Sequence, residues 1–327
     1  IARDAFNGVV LWKKPLRAWA DQLRRFRSGP PHLPFRLVAD ESRVFVTLGI
    51  RAPVTILDAA TGESRESIGE SEYTKQILHE GQSLALLTDA DLDRTQEIDA
   101  ARRRGEYIQR QCQIKRVDLE TGRLAWETNI GELVFPCMAL ADDRLFYQTP
   151  THLGCLDYEN GKTLWTADLS MSLPIAAGTV KTGELQGETP TLVVQEGRVM
   201  VSDFKNVRAF DVNSGEPSWE NDSSKGYNAP ADVLVIDKLV WTKGKGAART
   251  GLDLGSGSAE RSFTPAKPYM HPRCYRNKAT DRYLMLGEMG VQFIDVKTGE
   301  VWNNDWIRGT CQYGVMPANG LQYVTPD

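Results

Sequence analysis

Asp157-Tyr158-Glu159-Asn160-Gly161-Lys162-Thr163-Leu164-Trp165 is the stretch whose reading decides the fold. It opens on an Asp that ends a hydrophobic run, His152-Leu-Gly-Cys-Leu156, continues through three residues to a Gly, and reaches a Trp four residues later. Gly follows Asn where a tight hairpin loop needs positive φ, which Gly adopts at no steric cost. The Asp side chain is suited to accept hydrogen bonds from the N–H groups of the turn. On the strand leaving the turn, a large flat ring can bury apolar area against a neighbouring element.

The same pattern occurs seven times, at Asp4–Gly8, Asp58–Gly62, Asp118–Gly122, Asp157–Gly161, Asp211–Gly215, Asp253–Gly257 and Asp295–Gly299. Trp12, Trp126, Trp165 and Trp219 follow their Gly by four residues, and Trp302 follows by three. A second pattern precedes most copies, a short polar turn and then a β-rich run, as in Asp142-Asp-Arg-Leu-Phe146, Glu196-Gly-Arg-Val-Met200 and Asp237-Lys-Leu-Val-Trp241. Each repeat therefore supplies two hairpins, or four short antiparallel strands. Successive turn glycines lie 54, 60, 39, 54, 42 and 42 residues apart. A four-stranded repeat near the shortest of these spacings is the period of a propeller blade, and the longer ones carry insertions.

The expected fold is all-β, a seven-bladed β-propeller of four-stranded antiparallel blades forming a single domain over residues 1–327, with eight blades as the alternative count. The N-terminus begins at a second hairpin and the C-terminus stops after a first one. Joining them makes one blade and removes the open edges of the ring. Helical or loop insertions are expected near residues 16–29, 90–111 and 173–188, the first an amphipathic helix with Leu16, Trp19, Leu23 and Phe26 on one face.

These Asp-x-x-Asn/Thr/Ser-Gly-x-x-x-Trp repeats resemble the pyrroloquinoline-quinone-like (PQQ-like) repeat of the quinoprotein dehydrogenase and BamB-like β-propellers. The resemblance spans nearly the whole chain and implies architecture before chemistry, because such blades serve enzymes and non-enzymes alike. It implies PQQ in a central channel, with calcium and a vicinal disulfide in many alcohol dehydrogenases. The chain has no adjacent cysteines and no recognisable set of calcium carboxylates, so no particular residue supports PQQ and the residues name no other cofactor. The resemblance also implies a periplasmic or otherwise extracytoplasmic location.

Composition narrows the function classes. A net charge of −4 and a pI near 5.7 supply no footprint for nucleic acid. No run of about 18 apolar residues is present to span a bilayer. The chain opens at Ile1 without a Met or an export signal, so its true beginning is expected to lie upstream. Cys112, Cys137, Cys155, Cys274 and Cys311 are an odd number with no CxxC, which gives neither a zinc ribbon nor a disulfide framework. Asp89-Ala-Asp-Leu-Asp93 begins like a calcium loop, but Arg94 stands where Gly is needed.

Chemistry is best sought where two repeats break pattern, at Tyr269-Met-His-Pro-Arg-Cys-Tyr-Arg276 and Arg308-Gly-Thr-Cys-Gln-Tyr313. Both lead into the first strand of a blade, which in a propeller lines the axis. His271, Tyr275 and Tyr313 are the candidate acid, base or stacking groups. Arg273, Arg308 and Arg36 are the candidate ligand-binding cations, since Arg can fork a carboxylate or sulfate. Cys274, Cys311 and His271 are the candidate ligands of a soft metal. The competing account makes the cysteines buried small hydrophobes and pairs the arginines with acidic neighbours. The leading functional expectation is an extracytoplasmic binding or scaffold protein with a ligand site at the channel mouth, taking a protein partner or a carbohydrate. The alternatives are a lyase-type enzyme on anionic polysaccharide, using His271 or Tyr275 as base and Arg273 to neutralise the uronate, and a PQQ-dependent dehydrogenase.

Overall fold

The structure, a computed structural model, describes residues 1–15, 33–94, 97–98, 100–101, 104–106, 108, 111–131, 137–169, 190–203, 205–224, 229–244, 246–265, 274–310 and 313–324. The amphipathic segment 16–29 and the insertion 173–188 lie outside them. Within the 90–111 insertion, residues 97, 98, 100 and 101 are helical.

Six four-stranded antiparallel sheets follow one another, each a simple meander. The first blade comprises Leu37–Ala39, Arg43–Thr47, Val54–Asp58 and Ser64–Ser67; the second Thr74–Glu80, Ser83–Asp89, Cys112–Asp118 and Leu124–Gly131. The third comprises Met138–Ala141, Arg144–Gln148, His152–Asp157 and Thr163–Asp168; the fourth Thr191–Gln195, Arg198–Ser202, Asn206–Asp211 and Pro217–Asp222. The fifth comprises Leu234–Ile236, Leu239–Lys243, Arg249–Asp253 and Ala259–Phe263; the sixth Lys278–Ala279, Tyr283–Gly287, Val291–Asp295 and Val301–Asn304. Two two-stranded sheets stand at the termini, Ala2–Arg3 with Val10–Trp12 and Val315–Ala318 with Leu321–Val324. The all-β reading therefore holds. Among the described residues the strands fall into eight separate sheets, six of four strands and two of two.

The chain divides into two compact units, residues 1–150 with 154–164 and residues 151–153 with 165–327. In the first, Phe45, Val54, Ile56, Ile77, Leu84 and Leu86 make one core and Ala85, Leu87, Ile114, Met138, Leu145 and Leu156 another. Leu84 and Leu86 point to one core and Ala85 and Leu87 to the other, so this strand is buried on both faces and reads as a continuous apolar run. In the second unit, Met200, Val207, Val240 and Leu252 form one core, and Trp241, Leu284, Leu286 and Ile294 form the next.

The turn motif is built as its chemistry requires. N–H groups of Glu159 and Asn160 donate to Asp157 Oδ1 at 3.0 Å each, and Gly161 takes φ +72°. The corresponding Asp side chains at 4, 58, 118, 211, 253 and 295 accept turn N–H groups in the same way. Two of the other hairpin turns are also left-handed, at Asp142–Asp143 with φ 50° and 56° and at Asp237–Lys238 with 51° and 61°.

Rings join most repeats to the next; the first blade, whose last strand Ser64–Ser67 carries none, leaves Gly122 open. Trp126 Nε1 donates to Tyr158 O at 2.9 Å, the carbonyl just after Asp157, and its ring lies on Gly161, where a Cβ would stand 2.6 Å from Cδ2. Trp12 joins Ala59 O and Gly62 likewise, Trp165 joins Val212 O and Gly215, and Trp219 joins Leu254 O and Gly257. In the fifth blade the task is split. Arg261 Nη1 donates to Val296 O at 2.6 Å while Phe263 covers Gly299. Trp302, after which no further such turn occurs in the chain, is 40% exposed.

This turn chemistry has a pH consequence. Arg65 at 2.6 Å and the N–H groups of Thr61 and Ala60 hold the Asp58 carboxyl down at about 2. The carboxyls of Asp118, bound by Thr121, Asp211, bound by Ser214, and Asp295, bound by Arg282, are lowered too. Folded values below the unfolded one of about 3.9 contribute stability that is complete above it and is lost as pH falls through the folded values. The melting temperature is expected to be level near neutrality and to fall between about pH 4 and pH 2. A melting temperature unchanged across that window would refute the role of these carboxylates.

Candidate functional site

The residues that lead into the first strands carry the charged and polar side chains of each unit. In the first unit, Arg36 sits in a 3-10 turn before Leu37, is buried, and donates through Nη1 to Ile50 O at 3.2 Å. Burial lowers its guanidinium to about 10, and the Asp89 charge opposes that shift. Lys75 Nζ contacts Asp89 Oδ2 at 2.9 Å, with side chains 7% and 0% exposed. Gln76 binds the Met138 backbone twice, Nε2 to the carbonyl at 3.2 Å and Oε1 from the N–H at 3.1 Å, tying the second blade's first strand to the third's.

In the second unit Arg276 has the corresponding place before Lys278. Its guanidinium donates to Pro190 O at 2.8 Å, to Thr191 Oγ1 and to Asp232 Oδ1 at 3.3 Å. Asp232 Oδ2 also accepts from the backbone N and from Nδ2 of Asn277, both at 2.9 Å. One charged network thus spans the approaches to the fourth, fifth and sixth blades. Burial pushes the Asp232 carboxyl up, against the pull of Arg276. A second pair, Arg249 Nη2 and Glu288 Oε1, lies at 2.9 Å with side chains 7% and 3% exposed, and burial lowers the Arg249 guanidinium.

Beside this network opens a cleft lined by Ser224, Asp232, Trp241, Lys243, Arg249 and Asn277, with about 30 Å³ able to hold the centre of a water-sized sphere. Trp241 and Arg249 share its wall for a reason of register. Trp241 pairs with Gly251 and Lys243 with Arg249, so Trp241 and Arg249 are diagonal neighbours on one face of the fifth blade. Gly251 lets the ring pack closely, since a Cβ there would stand 3.0 Å from the Trp241 ring.

The residues singled out from sequence fall into three groups. Tyr275, Arg308 and Tyr313 are brought into one neighbourhood. The Tyr275 ring lies on Gly314, where a Cβ would be 2.7 Å from Cδ2, and Gly309 packs against the Gly314 backbone. Tyr275 is buried, Tyr313 part-buried and Arg308 exposed; burial raises the Tyr313 hydroxyl. Arg36 belongs to the other unit. His271, Arg273 and Cys311 lie outside the described residues, which removes the proposed lyase neutraliser, its His base and two of three soft-metal ligands from view. Cys112, Cys137 and Cys155 are buried and unbridged, Cys274 is part-buried, and burial pushes the Cys155 thiol up to about 12. Cys137 Sγ donates to Gln148 Oε1 at 3.3 Å.

Sequence reasoning did not single out Asp232, Asn277, Trp241 or Glu288, and it read the Lys243–Arg249 stretch as a hairpin tip rather than a phosphate loop. The available signal was a charged residue placed just before or at the start of a short β run, as at Asp232-Val-Leu and Arg276-Asn-Lys.

Comparison with known proteins follows this geometry. Residues 110–325 match the family described as outer membrane protein assembly factor BamB. No curated protein sequence matches the chain at a significant level. Among solved structures, BamB from Moraxella catarrhalis is similar at 13% identity, covering 82% of this chain and 74% of its own, with a TM-score of 0.54. The computationally designed Ika8 protein is similar at 12% identity, covering 88% and 78%, with a TM-score of 0.59. At these identities the likeness is one of fold, the β-propeller.

Proposed function

The chain belongs to the BamB family of outer membrane protein assembly factors, and from that premise we propose that it is an extracytoplasmic scaffold protein that binds a protein partner. The family match over residues 110–325 carries this reading. The family is extracytoplasmic, and among the described residues no helix is long and apolar enough to cross a membrane. The proposed docking edge is the segment entering the C-terminal hairpin. There Arg308 and Trp306 are exposed, Trp306 at 96%, and Tyr275 packs beneath Gly314 to hold the backbone. An exposed Trp with an Arg close by is the pairing enriched at the energetic centre of protein interfaces.

In its native cell, deletion of the protein is expected to reduce the amount of folded β-barrel protein in the outer membrane. Re-expression should restore it, and a Trp306→Ala/Arg308→Glu variant that folds should not. Unchanged barrel levels on deletion would exclude the assembly role. Full rescue by the double variant would exclude this edge.

The count of seven blades is part of the same proposal, with the terminal hairpins as the two halves of one blade. It predicts that removing residues 1–12 lowers the melting temperature by about 10 °C, since it would strip one side of the C-terminal hairpin and expose a strand edge. A loss of less than about 2 °C would leave the hairpins as independent sheets.

A further inference from the structure

We propose that the cleft of the second unit is a carboxylate-binding site in which Trp241 Nε1 and Arg249 Nε are the donors. Both atoms are buried and neither has a hydrogen-bond partner. Such groups are rare in folded proteins, and two of them on one wall of a cleft call for a ligand.

The other polar side chains of the wall are partnered. Both Asp232 oxygens accept bonds from Arg276 and Asn277. Asn277 Oδ1 accepts from Gly287 N at 2.9 Å, and Ser224 Oγ donates to Gly244 O at 2.8 Å. The remaining Arg249 nitrogens donate to Ala247 O and Glu288 Oε1. Among the described side chains of the wall these two donors are left, and the group that complements them accepts hydrogen bonds.

Size and charge define the class. The space, about 30 Å³ for the centre of a water-sized sphere, is enough for a carboxylate head. Asp232 is paired with Arg276 and Arg249 with Glu288, and Lys243 is a further cation lining the space. A carboxylate carries the right sign, presents two acceptor oxygens in one plane and makes the stronger, charge-assisted form of bond to a guanidinium. Trp241 is held to present its N–H, its ring stacked on Phe263 at 5.5 Å and 15° and seated on Gly251.

The source of the carboxylate is a small free acid or the end of a peptide chain, and one experiment separates them. The eight tryptophans give eight indole N–H signals by NMR, and Trp241→Phe identifies the one that disappears. At constant ionic strength the protein is titrated with acetate, with triglycine, with triglycine amide and with chloride. The Trp241 signal is expected to move saturably with acetate, triglycine or both, acetate marking the free acid and triglycine alone the chain end, while the amide and chloride leave it in place. Arg249→Lys, which keeps the charge and removes the Nε fork, is expected to weaken the response at least tenfold. A signal unmoved by both carboxylates, or moved equally by the amide or by chloride, overturns the proposal. The wild-type titration decides even where the lysine variant fails to fold.

Discussion

Gly161→Ala is expected to cost about 3 kcal/mol, while Gly122→Ala, at an equivalent turn, is expected to cost only about 1–2 kcal/mol. Both glycines are left-handed, with φ +72° and +66°, so both variants meet the same backbone penalty. They differ in what a Cβ would touch. At Gly161 it meets Trp126 at 2.6 Å, whereas at Gly122 nothing lies within 4 Å. The Trp126 ring would have to lift, and its bond to Tyr158 O would lengthen or break. A lost hydrogen bond and imperfect packing together account for the extra 1–2 kcal/mol. Urea unfolding of the two variants beside the wild type reads the difference directly. Equal losses at the two positions would mean that the ring contact contributes nothing.

The second large effect belongs to the buried pair of the first unit. Asp89→Ala is expected to cost about 3–5 kcal/mol, because it leaves the Lys75 ammonium and the Arg36 guanidinium buried without the carboxylate that faces them. Asp89 Oδ1 also accepts from the Asp91 N–H, which would lose its partner. The double variant Lys75→Met/Asp89→Leu is expected to recover part of that loss, since apolar groups of similar volume remove the desolvation cost along with the attraction. Denaturant unfolding of the single and double variants is the check. A loss below 1 kcal/mol in Asp89→Ala would show that water or another group screens Lys75.

Legibility in the sequence follows the range of the interaction. The Asp-to-Gly turn could be read because its bonds run only two and three residues ahead, as from Asp157 to Glu159 and Asn160. The joining role of Trp could be read from its recurrence, but its seat could not, since Gly161 lies 35 residues beyond Trp126 and nothing local links them. The fifth blade hid its joint completely, with Arg261 supplying the donor and Phe263 the ring. The sequence leaves the count of closed blades open for a related reason. Matching half-repeats at the two ends fit a joined blade as well as they fit two separate hairpins.

The site was legible only in outline. Of the two pattern-breaking segments, the described residues place the Tyr275 ring on Gly314, next to Tyr313, and Gly309, next to Arg308, against the same glycine. Arg276, the last residue of the first segment, proved to be the brace, while Asp232 and Arg249 come from the preceding repeat. Which face a short first strand presents depends on a register of one residue. Composition and spacing do not carry that information, so no sequence pattern placed Trp241 beside Arg249.

The central claim is that a ring seated on the following turn glycine fastens one repeat to the next, as at Gly62, Gly161, Gly215, Gly257 and Gly299, with the open Gly122 as the exception. A double-mutant cycle between Trp126→Ala and Gly161→Ala, read by urea unfolding, tests it most directly. The account predicts that Gly161→Ala costs about 1–2 kcal/mol less in the Trp126→Ala background than in the wild type, a coupling of that size. A coupling below about 0.3 kcal/mol would contradict it, because the glycine and the ring would then act independently.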